Sequence, residues 1–369
     1  MTLRARFAAP LLGALSLVAL AAPAAAQEKT LNVYNWTDYI GETTLADFEK
    51  ETGIKVTYDM FDSNETLDAK LKAGRSGYDV VVPSAEPFLS SQIQAGIYQK
   101  LDRSKIPNYA NLDPKMMKGL EVSDPGNQYA VPYLWGTIGI GYNVDKVKQR
   151  LGDNAPIGSL DLLMKPENVS KLKDCGVVIL DSPTEVLPIV LNYLGLDPAS
   201  QKKEDLTKAE AALKAVRPSV RKFHGSQYVN DLANGDACIA LGYSGDIVQA
   251  QSRAEEAKNN VKVEYFIPKE GTVQFFDTVA IPKDAKNVEA AHQFINFILD
   301  PKNMAGISNY VVYGNAVPKS LEFLAPEVKS NEGAFPPPDV MAKLFVAQPV
   351  DPKFERERTR AWTRIKTGK

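Results

Sequence analysis

Two histidines and two cysteines in 369 residues leave this sequence little with which to build a catalytic metal site. It has no H-E-x-x-H motif and no paired Cys/His cluster, so no metal and no cofactor is expected. Beyond the first 26 residues no apolar run approaches the roughly 20 residues that span a bilayer. No block of like charge is long enough to serve as a nucleic-acid arm, so nucleic acid is not an expected partner. The 43 basic and 45 acidic residues nearly cancel, and Arg4 and Arg6 precede a short apolar run at 11–22. That run ends in Ala24-Ala25-Ala26, so residues 1–26 read as a secretory signal peptide with the exported chain starting at Gln27. No cysteine stands at the cleavage point to carry a lipid anchor.

About 340 residues remain, more than one hydrophobic core usually serves, so two lobes are expected. "LNVYNW" reads as a strand, and the helix after it, with Leu45 and Phe48 on one face, stops at Gly53. "IKVTYDMF" alternates as a strand does, a helix marked by Leu67 and Leu71 ends at Gly74, and "YDVVVPS" (78–84) is apolar enough to be covered on both faces. The same order resumes at "CGVVILDS" (175–182) with a helix over 184–194. It appears again at "ACIALGYS" (237–244), with a helix from about 246. The fold class is α/β, with parallel sheets in both halves. "YAVPYLWGTIGIGYN" and "VQFFDTVAIP" look able to pass between the lobes, making each discontinuous: 27–135 plus 278–320, and 136–277 plus 321–369. Cys175 and Cys238 sit beside apolar strands that could be sheet neighbours in an exported chain, where a disulfide is allowed; two buried free thiols are the alternative.

Ligands of open α/β sheets bind beyond the carboxyl ends of the strands. At four such ends stand Trp36-Thr37-Asp38-Tyr39, Ser84, Glu185 and Tyr243-Ser244-Gly245-Asp246. Each acid by itself could be an ordinary helix cap or first-turn residue. A cap, however, needs no Trp or Tyr beside it. An anion site at helix N-termini needs only bare amides and glycines, whereas Asp38, Glu185, Asp246 and Asp277 would make this crevice negative. Trp36, Tyr39, Tyr243, Phe275 and Tyr313 offer ring faces to ammonium groups and surface to methylenes. An ammonium left unpaired in such a slot is costly, so carboxylates at both ends imply a ligand charged at both ends: an elongated diamine or polyamine.

These segments, together with "LDSPTEVLPIVLNYLG" and "YVVYGNAVP", resemble the periplasmic polyamine-binding proteins of ABC importers, in particular the putrescine-binding branch. The resemblance covers nearly all of the exported chain. It implies a two-lobed, hinged periplasmic-binding-protein fold of type II that hands its ligand to a membrane permease. It also implies ligand-binding roles for Trp36, Thr37, Asp38, Tyr39, Ser84, Glu185, Tyr243, Asp246, Phe275, Asp277 and Tyr313, and a disulfide between Cys175 and Cys238. Tyr243 stands where related proteins often carry Trp, and Thr37 where the putrescine branch often carries Ser. Both alter slot width and hydroxyl placement, so chain-length preference stays open.

Other classes are weaker. "GYSGD" would need Gly at Asp246 to be a nucleophile elbow, and "GTIGIG" has its glycines in the wrong order for a dinucleotide loop. An exported glycosidase, which also pairs carboxylates with aromatics, is the surviving enzymatic reading; the chain is expected not to be an enzyme. A cationic amino acid would need an Arg in the crevice, and Arg75, the nearest, is expected to face solvent. His292 is expected to be a partly exposed structural residue and His224 a surface one. A monomer in the periplasm is expected, and sensory use through a membrane receptor stays open.

Overall fold

The computed structural model describes residues 29–368, so the expected signal peptide lies outside the described residues. Among the described residues ten strands form one hydrogen-bonded sheet: β1 (Thr30–Trp36), β2 (Lys55–Phe61), β3 (Val80–Val81), β4 (Ala130–Asn143), β5 (Val177–Ile179), β6 (Lys222–Phe223), β7 (Ile239–Tyr243), β8 (Val263–Phe266), β9 (Gln274–Ala280) and β10 (Gly314–Asn315). The order is β2-β1-β3-β9-β4-β7-β5-β6, with β8 and β10 also on β4. In the first half β1 runs parallel to β2 and β3; in the second, β5 runs parallel to β6 and β7.

β4 and β9 join the two groups. The first part of β4 pairs antiparallel with β9, and its last part with β7 and β8. Farther along, β9 meets β3 at Ala280 opposite Val81. The crossing segments are therefore antiparallel to their neighbours, and each half-sheet is mixed rather than purely parallel. The expected boundaries at 135/136 and 277/278 fall inside these two strands.

Local chemistry ends the first helices where the sequence implies. The helix Thr44–Thr52 closes on Gly53 at φ 69°, whose N–H donates to the Glu49 carbonyl. Ser63 caps the helix Asn64–Lys72 by accepting from the Thr66 N–H. The parallel pairing of β5 with β7 brings Cys175 and Cys238 together as a disulfide with Cα atoms 5.5 Å apart. In the chain-entropy picture a loop of this length is worth about 4 kcal/mol. His292 departs from expectation: it is buried, with Nε2 accepting from the Asp102 N–H at 2.9 Å and Nδ1 donating to the Val288 carbonyl. His224 is half-exposed, and its Nδ1 accepts from Ser226 and Gln227 N–H groups. Arg75 is exposed. No helix among the described residues is long and apolar enough to cross a membrane.

Candidate functional site

The carboxyl ends of β1, β2, β6 and β7 converge with β9 on one slot. It is lined by Trp36, Thr37, Tyr39, Phe61, Asp62, Ser84, Glu185, Gly225, Ser226, Tyr243, Asp246, Phe275, Asp277 and Tyr313. Its walls leave about 20 Å³ of free space, room for about one water molecule, so the two halves are closed upon each other.

Rings meet edge to face around it. Trp36 contacts Tyr243 with centroids 6.0 Å apart, Tyr243 contacts Phe275 at 5.2 Å, Phe275 contacts Tyr313 at 5.9 Å, and Tyr313 contacts Tyr39 at 5.0 Å. The Trp36 indole is fixed by donating Nε1–H to the Val82 carbonyl at 2.9 Å. Close approach requires glycine at two places. A Cβ on Gly136 would lie 2.8 Å from the Phe275 and Tyr313 rings, and one on Gly245 would lie within the Tyr313 ring's contact distance.

Three acids sit among these rings, each almost wholly buried. Asp277 accepts from Ser84 Oγ at 2.6 Å and from Tyr39 Oη at 2.8 Å. Ser84 is in turn held by the Asn64 amide, which donates to its Oγ at 2.9 Å. Asp246 accepts from Tyr228 Oη at 2.6 Å and Tyr313 Oη at 2.9 Å. Glu185, in the first turn of the helix Pro183–Tyr193, accepts from Tyr243 Oη at 2.8 Å.

Burial pushes the Asp277 and Asp246 carboxyls up to about 7 and Glu185 up to about 8. The hydroxyl donors pull the other way but are outweighed by desolvation. For Glu185 the neighbouring carboxyls of Glu65 and Asp277 add to the rise. Among the described residues no Lys, Arg or His forms an ion pair with any of the three. A site built this way is short of positive charge.

All the residues expected from the sequence line the slot except Asp38. That residue turns at φ 55°, which carries its carboxylate out to Arg253 Nη2 at 2.9 Å, a pair about one-third exposed. Its carbonyl accepts from Gln249 Nε2. Asp38 thus ties the two halves together beside the slot instead of lining it. Sequence reasoning missed Phe61, Asp62, Gly225 and Ser226, although Phe61 and Asp62 stand at the end of β2 and Gly225 and Ser226 just past β6, where the strand-end rule already pointed. It also missed Tyr228, a helix residue that no sequence pattern connects with Asp246.

Two half-sheets sharing two antiparallel strands, with an acid- and ring-lined slot between them, define a two-lobed solute-binding receptor. Residues 43–336 match the family of bacterial extracellular solute-binding proteins, and the chain belongs to that family. It is 56% identical over 346 residues to the putrescine-binding periplasmic protein PotF of Escherichia coli, covering 94% of this chain and 93% of that protein. It is 56% identical over 345 residues to the putrescine-binding periplasmic protein SpuD of Pseudomonas aeruginosa, covering 94% of each. Among solved structures, a putative spermidine/putrescine ABC transporter from Listeria monocytogenes superimposes with a TM-score of 0.81 at 34% identity, covering 92% of this chain and 100% of that one. These matches meet the expectations of a type II two-lobed fold and of kinship with the putrescine-binding branch.

Proposed function

We propose that this protein captures putrescine in the periplasm and delivers it to the permease of an ABC importer. One observation carries the reading: three buried carboxyls share a ring-walled slot and, among the described residues, none of them is paired with a Lys, Arg or His. A diamine supplies two ammonium groups and a methylene rod, matching the acids and the rings respectively. Asp277 with Ser84 and Tyr39 receives one ammonium; Glu185 or Asp246 lies toward the other. Trp36, Tyr243, Phe275 and Tyr313 clasp the methylenes, and Thr37 borders them.

Capture proceeds by hinge bending. The lobes 27–135 plus 278–320 and 136–277 plus 321–369 rotate about β4 and β9. Asp277 stands on a strand that passes between them, Ser84 and Tyr39 on the first lobe, and Glu185 and Asp246 on the second. The ligand's contacts are completed only when these meet, so the ligand favours closure by its differential affinity, and the permease reads occupancy as shape. Binding alone accounts for the site; no hydrolytic role is needed.

Native mass spectrometry of the purified protein is expected to reveal a copurified diamine, recovered chemically unaltered after incubation. Competition calorimetry is expected to rank putrescine above cadaverine, agmatine and spermidine. No heat with any of the four, or conversion of the bound amine, would overturn the reading.

A further inference from the structure

Behind the hinge lies a second cavity of about 580 Å³, many times the room left in the slot. The crossing strands form the wall between the two. Along β9, Phe275 and Asp277 face the slot while Gln274, Phe276 and Thr278 line the rear cavity, as strand alternation requires. On β4, Gly136 lies against the slot's Phe275 and Tyr313 rings, and its neighbour Trp135 lines the rear. One rear wall belongs to the first half of the molecule: Glu86 and the helix Pro114–Leu120 with Met116 and Leu120. The other is the stretch with Phe335, Met341 and Val346, which is bonded to the second half through Phe345, whose backbone pairs with Thr272 and Gln274.

The lining is mainly apolar, and its size falls in the range of small-molecule sites, which bury a rod or ring and fix it with few polar groups. Glu86 is such a group. Its two oxygens accept from Ser123 Oγ at 2.8 Å and Ser90 Oγ at 3.0 Å. Among the described residues it has no ion-pair partner within 4 Å, and burial raises its pKa. Lys115 on this lining is exposed, with Asp113 two residues before it. Because β4 and β9 stand between the two spaces, a rotation that narrows the slot parts the rear walls.

We infer that the rear cavity binds a compact apolar molecule carrying one amine, set against Glu86, and that its occupation props the slot closed. Binding is independent of the polyamine reading; the coupling rests on it. The probe is 4-phenylbutylamine, titrated into protein saturated with putrescine so that the slot cannot take it. One site is expected. Its affinity is expected to fall at least tenfold in Gly119→Trp and in Leu321→Trp. Both positions are exposed on the cavity lining, and a Cβ at Gly119 meets nothing within 4 Å. The neutral 4-phenylbutanol is expected to bind about tenfold more weakly, a difference that Glu86→Gln removes. The amine is expected to tighten putrescine binding several-fold, and putrescine to tighten the amine by the same factor. No heat at putrescine saturation, or heat unchanged in both Trp variants, would overturn the site. Unchanged or weakened putrescine binding would overturn the coupling. If putrescine itself fails to bind, the polyamine reading falls, while amine binding to the free protein and its loss in the Trp variants still decide the rear site.

Discussion

The acids of the slot and the acid that anchors the C-terminal helix stand at opposite ends of one scale. On the helix Lys203–Val216, Glu210 receives Arg364 Nη2 at 2.6 Å and Nε at 2.8 Å, with Lys214 Nζ at 2.9 Å. Hydrogen bonding to Arg364 comes first among the causes that bring Glu210 down to about 2. Asp246 and Asp277 each accept two hydroxyl hydrogen bonds and Glu185 one, but among the described residues none of the three has a cationic partner, and desolvation drives them up to about 7 or 8. Hydroxyl donors alone do not hold a buried carboxylate charged at neutral pH; a positive group does. At Glu210 the chain provides it. In the slot it is left to the ligand.

The most severe way to break this contrast is Asp277→Asn. Putrescine affinity is expected to fall by about 2–5 kcal/mol, because one ammonium loses its counter-charge. The free protein is expected to become more stable at pH 8, since a desolvated carboxylate is gone. Calorimetry and thermal melting would report the two changes, and a melting temperature lowered together with unchanged affinity would count against the assignment.

Next in size is the pH response. In the folded free protein the slot acids keep their protons to about pH 7 or 8, whereas unfolded they release them near 4. Between those limits the unfolded chain binds fewer protons, so stability is expected to fall as pH rises, by up to about 1.4 kcal/mol per unit for each acid. Putrescine affinity is expected to run the other way, weakening as pH falls below about 7, and putrescine-saturated protein should lose the stability slope. Melting curves from pH 5 to 8 with and without putrescine check the sign.

Glu210→Gln should do the opposite of Asp277→Asn. Its lowered pKa gives stability that is present above about pH 4.5 and is lost as pH falls toward about 2. Because Arg364 is about half exposed, the loss at neutral pH is expected to be about 1 kcal/mol or less, with putrescine affinity unchanged by calorimetry. The smallest effect is expected from Arg253→Ala. It removes the one-third-exposed pair with Asp38 and should speed putrescine release a few-fold in stopped-flow measurements, leaving the association rate nearly the same.

Much of this was legible in the chain. Gly53 ends its helix in the left-handed conformation that glycine adopts without penalty, and "CGVVILDS" and "ACIALGYS" became the adjacent parallel strands that bring the two cysteines together. Strand-end reasoning brought Trp36, Ser84, Glu185 and Asp246 to one slot because the crevice position follows from sheet geometry. It misplaced Asp38 because the residue at a strand end is known from sequence but the direction of its side chain is not. A positive φ turned Asp38 outward while Trp36 and Tyr39 on either side turned in. Val82 and Pro83 read as strand yet fall outside β3, which has only two paired residues.

The order of residues thus determined the α/β alternation, the disulfide's place and the demand for a cationic ligand, since periodicity, strand-end position and residue type are local properties. Tertiary structure alone decided which hydroxyls hold which acid, that Asp38 pairs with Arg253, and that β9 presents one face to the slot and the other to a rear cavity. Those outcomes depend on contacts between segments up to 238 positions apart, such as Tyr39 with Asp277, and on how far burial outweighs the hydrogen bonds that such contacts create.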